Sequence, residues 1–223
     1  MVQAEFDLYI ITDRHQCKDD DLEACIERAV RGGVRAVQLR EKDLSTRERY
    51  EVGMRLRQLT SKFGAKLLVN GDVALARAVR ADGVHLPQDG LPADVCRKLL
   101  EPGMLLGVSA HTVAEAREAE DGGADFITYG PVYHTPSKAK YGAPVGLDSL
   151  RAVCAEVRIP VLALGGIKAS NVEEVLSAGA AGVAMISAVL AEPDVEAAAS
   201  EILKRLRESR AARAFPKKEG GFE

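Results

Sequence analysis

Short apolar segments recur along the chain and are separated by longer amphipathic segments. Within the apolar segments hydrophobic residues follow one another without alternation, which is typical of strands that are buried on both faces. The intervening segments repeat their apolar positions every three to four residues, as helices on a protein surface do. The segments that predict strands are 8–12, 36–40, 66–70, 83–86, 105–110, 126–130, 160–164 and 182–187.

Two of the predicted helices carry a start signal in the sequence. Ser45 is followed three positions later by Glu48, and Thr112 is followed at the same spacing by Glu115. In a capping box with this spacing, the hydroxyl and the carboxylate each accept a backbone N–H of the first helical turn. We therefore expect helices to begin directly after Ser45 and Thr112.

The order of the elements predicts the fold class. Eight strands alternate with helices, and no hairpin signal separates any two strands, which favours a parallel (β/α)8 TIM barrel. A doubly wound open sheet is the alternative, although such a sheet rarely needs this many evenly spaced units. The barrel is expected to form a single domain over residues 1–207. In the charged tail, residues 208–223, the start can extend the last helix, and the rest is expected to be disordered.

Composition narrows the function classes. A chain of 223 residues is long enough for one barrel, and its net charge of −3 provides no basic field for nucleic acid or an anionic membrane. No apolar run is long enough to span a bilayer, and the N-terminus lacks the pattern of a secretory signal, so we expect a cytoplasmic protein. None of the four cysteines lies in a CxxC pair.

Polar residues at the carboxyl end of the second strand are the first candidate binding site. Gln38, Arg40 and Lys42 alternate along the strand and therefore point to the same side. A guanidinium offers a planar fork to phosphate oxygens, and an ammonium offers a point charge. The set therefore predicts an anion site, because barrel active sites lie at the carboxyl ends of the strands. The alternative is an internal ion-pair network with Glu41 and Asp43.

A second candidate anion site follows strands seven and eight. Gly165 and Gly166 end the seventh strand and let the backbone approach a ligand closely, while Ile186 and Ser187 end the eighth. The alternative is a glycine pair that serves packing alone. A long loop after the sixth strand adds hydroxyl and cationic groups, namely Thr135, Ser137 and Lys138. Two anion sites on one barrel suggest an enzyme that joins two phosphorylated molecules or handles a bisphosphate.

Two histidines follow or occupy predicted strands. His111 lies after the fifth strand and is a candidate acid or base, because imidazole titrates near neutral pH. Its alternative role is a structural hydrogen bond at the start of a helix. His85 lies inside the apolar GVHL segment and is interpreted as a core residue with satisfied hydrogen bonds.

An ordered series of motifs resembles the thiamine-phosphate synthase family over about residues 7–190. The motifs are LYIITD, QLREKDL, LLVN, ADGVHLPQ, GVSAHT, GPVYHTPSK, LALGGI and GVAMIS. The resemblance implies a (β/α)8 barrel and a transferase of thiamine biosynthesis. Such an enzyme joins 4-amino-2-methyl-5-(diphosphooxymethyl)pyrimidine to thiazole phosphate, or to its carboxylate, and releases pyrophosphate.

The resemblance also assigns roles to residues. It implies that the pyrimidine and its diphosphate are held by Gln38, Arg40, Lys42, Asn70 and Ser109. It implies that the thiazole phosphate is held by Thr135, Ser137, Gly166, Ile186 and Ser187. Lys138 would contact the leaving diphosphate, and Arg40 and Ser109 would share in catalysis with it. The implied chemistry is departure of pyrophosphate, followed by attack of the thiazole nitrogen on a pyrimidine-stabilised cation.

The chain departs from the family pattern at two positions. The family binds Mg²⁺ through two aspartates whose places are taken here by Gly71 and Gly90, and the nearest carboxylates are Asp72 and Asp89. The resemblance implies Mg²⁺ as cofactor, with these two aspartates as its candidate ligands.

Three other functions are left open by the sequence. A related thiazole tautomerase lacks the carboxylates and would use His111 as acid and base without a metal. The second is a different phosphosugar-type barrel enzyme. The third is a sensing barrel that binds thiamine precursors without turnover. The expected partners are the small phosphorylated pyrimidine and thiazole, not nucleic acid or a membrane, and a homodimer is left open.

Overall fold

The computed structural model describes residues 6–18, 21–135 and 143–214. Its eight strands lie within two residues of the predicted limits, and they are β1 Leu8–Ile11, β2 Ala36–Leu39, β3 Lys66–Asn70, β4 Gly83–Leu86, β5 Leu105–Ala110, β6 Phe126–Tyr129, β7 Val161–Leu164 and β8 Gly182–Met185. Each strand pairs in parallel with the next, and β8 pairs with β1, so the sheet closes. The predicted (β/α)8 barrel is confirmed, and the open sheet is excluded by the pairing of β1 with β8.

Helices surround the barrel, and they are α1 Leu22–Arg31, α2 Thr46–Lys62, α3 Val73–Ala78, α4 Ala93–Leu99, α5 Val113–Asp121, α6 Gly146–Glu156, α7 Val172–Ser177, α8 Ser187–Leu190 and α9 Val195–Ala214. The last helix runs past residue 207, where the sequence predicts the end of the domain. Residues 208–214 therefore belong to α9, and residues 215–223 lie outside the described residues. Among the described residues no helix is both long enough and apolar enough to cross a membrane.

The two predicted helix starts have different hydrogen bonds. Ser45 and Glu48 form the complete capping box at the start of α2. Thr112 also caps α5, since its hydroxyl accepts the N–H of Glu115 at 3.2 Å. The Glu115 carboxylate, however, accepts the N–H of His111 at 2.7 Å. This bond fixes the backbone of His111, one of the candidate site residues.

Apolar side chains fill the barrel interior below the carboxyl ends of the strands. Phe6, Tyr9 and Phe126 are buried there, and the Phe126 ring meets the other two rings edge-on, with centroids 5.3 and 5.6 Å away. Such contacts are favourable for aromatic pairs. A larger apolar cluster lies between strands and helices. The polar interior positions are thereby confined to the upper part of the barrel.

Candidate functional site

A cavity of about 510 Å³ opens at the carboxyl ends of the strands. It is called the first cavity, and the candidate residues that line it are Gln38, Arg40, Lys42, Asn70, Asp89, Ser109, His111 and Ile186. They come from different strand ends, and closure of the barrel brings them together. Most of the residues assigned to the pyrimidine diphosphate therefore face one space.

A cavity of about 860 Å³, called the second cavity, adjoins the first. Its candidate residues are Thr135, Gly166, Ile186 and Ser187. Leu164 and Ile186 line both cavities, so a ligand in one lies next to a ligand in the other. Ser137 and Lys138 lie outside the described residues.

The carboxylates beside Arg40 and Lys42 bind another cation. Arg14 Nη1 lies 3.2 Å from Glu41 Oε2, and the same guanidinium forms two bonds of 2.6 and 2.5 Å to Asp43. The hydrogen bonds from Arg14 hold the pKa of the Asp43 carboxyl far below its usual range. Within the described residues, neither Arg40 nor Lys42 forms an ion pair. Glu41 and Asp43 therefore do form the ion-pair network given as the alternative, but they form it with Arg14 and not with Arg40 or Lys42.

The end of β2 is fixed by Thr12. The Thr12 hydroxyl accepts the backbone N–H of Arg40 at 2.8 Å, and the Thr12 N–H donates to the Gln38 carbonyl at 2.9 Å. The Gln38 side chain is buried, and its Nε2 makes no close hydrogen bond among the described residues. Burial raises the pKa of the Tyr9 hydroxyl, and the Gln38 amide beside it opposes this effect. Because buried amides are nearly always hydrogen-bonded, the Nε2 donor of Gln38 is suited to an acceptor atom of a ligand in the first cavity.

His85 is a core residue, as predicted, and it also lines the first cavity. Its Nε2 lies 3.1 Å from Ser109 Oγ and 3.3 Å from Thr128 Oγ1, and its Nδ1 lies 3.5 Å from the Tyr9 hydroxyl. Burial lowers the pKa of His85 to about 3, and the positive charge of Arg40 adds to this effect. A neutral ring therefore supports the Ser109 hydroxyl. Sequence reasoning missed Tyr9 and Thr128, because both lie inside apolar strand segments.

The neutral state of His85 predicts acid sensitivity of the fold. Its pKa is about 3 in the folded protein but near 6.5 in an unfolded chain. The unfolded state thus takes up this proton first, so stability is complete above pH ~6.5 and falls as the pH drops toward ~3. We expect His85 to account for a loss of about 2 kcal/mol in the free energy of unfolding between pH ~6.5 and ~5.

Urea denaturation at several pH values measures this loss. In the His85→Gln variant, most of the loss between pH ~6.5 and ~5 should disappear, because an amide does not titrate in this range. An equal pH slope in variant and wild type would show that His85 is not the group responsible.

His111 makes the structural hydrogen bond that the sequence leaves open for it, and it also lines the first cavity. Its Nδ1 contacts the carbonyl oxygen of Gly130. A carbonyl can only accept, so Nδ1 carries the proton and Nε2 of the neutral ring is left as an acceptor. Its structural hydrogen bond therefore coexists with a position in the lining of the first cavity.

The glycine turn after β7 is held by a residue that sequence reasoning missed. Gly165 and Gly166 have φ angles of +95° and +67°, in the left-handed region that favours glycine. Asn171 Oδ1 accepts the N–H of Lys168 at 2.8 Å, and its Nδ2 donates to the Gly166 carbonyl at 3.2 Å. In a trans peptide unit the N–H and the C=O point in opposite directions. The unit between Gly166 and Ile167 directs its C=O toward Asn171, so the N–H of Ile167 is directed away from Asn171.

The two candidate magnesium ligands lie in different surroundings. Asp72 caps α3, where its Oδ1 accepts the N–H of Leu75 at 2.9 Å and its Oδ2 lies 3.4 Å from Arg49 Nη2. It is not among the residues that line the first cavity, whereas Asp89 is. Within 6–18, 21–135 and 143–214, no three or more His, Cys, Asp or Glu side chains group to hold a metal ion.

Comparisons with known proteins agree with the geometry. A family model described as thiamine monophosphate synthase matches residues 8–189. A putative thiamine-phosphate synthase of Geobacter sulfurreducens is 55% identical, covering 92% of this chain and 97% of the relative. A thiamine-phosphate synthase of Moorella thermoacetica is 46% identical, covering 92% and 95%. The solved thiamine phosphate pyrophosphorylase of Pyrococcus furiosus superposes with a TM-score of 0.83 at 39% identity, covering 92% and 96%.

Proposed function

Because the chain belongs to the thiamine monophosphate synthase family, we propose that it is a thiamine-phosphate synthase. It joins 4-amino-2-methyl-5-(diphosphooxymethyl)pyrimidine to thiazole phosphate and releases pyrophosphate. The observation that carries this proposal is the pair of adjoining cavities, which share Leu164 and Ile186. The first cavity offers Arg40 and Lys42 to a diphosphate, and the second offers a glycine turn to a phosphate.

In the first cavity, the residues bind and stabilise the leaving group. The Arg40 fork and the Lys42 ammonium hold the diphosphate oxygens. As the bond between the pyrimidine methylene carbon and the diphosphate oxygen breaks, its electron pair stays on pyrophosphate, and these cations stabilise the growing charge. Gln38 and Asn70 supply amide groups that orient the pyrimidine.

The second cavity places the nucleophile. Thr135, Ser187 and the backbone of Gly166 line it and would hold the thiazole phosphate. The thiazole nitrogen then lies next to the pyrimidine methylene carbon, where it forms the new C–N bond. Holding both substrates in adjoining cavities converts the encounter of two molecules into a reaction within one complex.

The residues predicted to bind magnesium do not form a prepared site for this ion. Mg²⁺ demands near-octahedral oxygen geometry. Both carboxylate oxygens of Asp72 are taken by Leu75 and Arg49, which leaves Asp89 as the candidate that faces the cavity. The proposed reaction therefore contains no step that involves magnesium. The experiment that tests the proposal compares product formation with and without Mg²⁺.

The proposal names small phosphorylated molecules as partners. A net charge of −3 argues against nucleic acid or an anionic membrane, and we place the reaction in the cytoplasm. A homodimer stays a prediction. The named relatives are synthases, which favours this activity over the tautomerase although His111 lines the same cavity.

The test is to mix the protein with both phosphorylated substrates, with and without Mg²⁺, and to measure pyrophosphate and thiamine phosphate. We expect one pyrophosphate for each thiamine phosphate formed. Isomerisation of a thiazole phosphate carboxylate without pyrophosphate release would identify a tautomerase. Binding of thiazole phosphate without any product, in either condition, would identify a sensing barrel.

A further inference from the structure

We propose that Arg14 is a positioning residue that holds the carboxylates of Glu41 and Asp43 away from Arg40 and Lys42. The two cations are thereby kept available for a diphosphate. This inference rests on the proposed function, because it assigns the diphosphate to the first cavity.

The charge pattern of the segment after β2 creates the need for such a residue. Positive and negative side chains alternate from Arg40 to Asp43. Each cation therefore has a carboxylate as its neighbour in the chain. A carboxylate tethered this closely competes with a diphosphate at a high effective concentration, since its binding to the cation is intramolecular.

Arg14 meets this need with its backbone and its side chain. The Arg14 N–H donates to Glu41 Oε2 at 3.2 Å, and Nη1 lies 3.2 Å from the same oxygen. Both oxygens of Asp43 accept from the guanidinium in the bidentate arrangement that arginine favours. His15 Nε2 adds a contact of 3.1 Å to Asp43.

The position of Arg14 is itself fixed. It begins a short 3-10 turn, Arg14–Gln16, and Asp13 caps this turn by accepting the N–H of His15 at 3.2 Å. The turn follows β1, which pairs with β2. The loops after these two neighbouring strands therefore meet at the rim of the first cavity, and Arg14 joins them.

Binding of inorganic pyrophosphate, measured by calorimetry, tests the inference without any need for turnover. We expect Arg14→Met to weaken binding about tenfold, because two released carboxylates then lie near the cations. The second variant, Arg14→Met with Asp43→Asn, should recover most of the affinity, since one competing charge is gone. Arg55→Met is the matched control, because it breaks an exposed pair with Glu23 outside both cavities.

A separate variant keeps the inference testable if Arg14→Met does not fold. Glu41 is buried, and removal of its partner leaves a buried charge that destabilises the protein strongly. Arg14→Met with Glu41→Gln removes that buried charge and should fold, but it should recover only part of the pyrophosphate affinity, because Asp43 still competes. In turnover, Arg14→Met should raise KM for the pyrimidine diphosphate about tenfold and leave KM for thiazole phosphate unchanged.

The outcomes separate this inference from the proposed function. Wild-type affinity in Arg14→Met, or no recovery when Asp43→Asn is added, would overturn the role of Arg14. A rise of KM for both substrates would show a merely structural role and overturn it equally. If the wild type binds pyrophosphate but forms no thiamine phosphate, the proposed function fails while the binding comparison still decides on Arg14. Absence of pyrophosphate binding by the wild type would overturn both.

Discussion

Replacement of Arg40 by alanine should nearly abolish synthase turnover, with a loss of about a thousandfold in kcat/KM. The guanidinium lines the first cavity and forms no ion pair among the described residues, so its charge is available to the leaving pyrophosphate. The bond between the Arg40 N–H and Thr12 belongs to the backbone and persists in the variant. Release of pyrophosphate under saturating substrates and at low substrate concentration measures the effect.

Two further variants make the Arg40 prediction specific. Arg40→Lys keeps the charge but loses the fork, and we expect it to retain more activity than Arg40→Ala. Arg47→Ala is the control, because Arg47 has a 90% exposed side chain on α2, pairs only weakly with Glu51 and lies outside both cavities. Near-wild-type rates in Arg40→Ala would contradict the assignment of the diphosphate to this cavity.

The architecture could be predicted from the sequence because its signals are local. Continuous apolar runs fix the eight strands to within two residues, and the spacing of Ser45 and Glu48 fixes the start of α2. The same spacing at Thr112 and Glu115 predicts that Thr112 caps α5. It does not predict which backbone N–H the Glu115 carboxylate accepts. That carboxylate binds the N–H of His111, the residue just before the cap.

The candidate site could be predicted only in part, since some of its members act across the barrel. The alternation of Gln38, Arg40 and Lys42 predicts that they point to one side, which is a local property. All three line the first cavity, although β2 ends at Leu39 and Lys42 lies in the turn that follows. Arg14 lies in a different loop, and nothing in its local sequence indicates that it binds Glu41. Contacts of this kind depend on the register between β1 and β2, which the sequence pattern does not specify.

Replacement of Gly166 by alanine should raise KM for thiazole phosphate by about a hundredfold or more and change KM for the pyrimidine diphosphate much less. A Cβ atom at this position would lie 2.7 Å from both the His134 carbonyl oxygen and Tyr133 Cβ, and φ is +67°. The turn that lines the second cavity must therefore shift. Steady-state kinetics with each substrate varied in turn measures the two KM values.

Gly64→Ala provides a control that separates backbone strain from the loss of the site. Gly64 has a φ of +65°, nearly that of Gly166, but a Cβ there would meet no atom within 4 Å. Both variants therefore carry a similar strain of about 1–2 kcal/mol, while only Gly166→Ala adds the contact with His134 and displaces the turn. We expect Gly64→Ala to lower the free energy of unfolding and leave both KM values unchanged. If Gly166→Ala does the same, the thiazole phosphate does not depend on this turn, and its place in the second cavity is wrong.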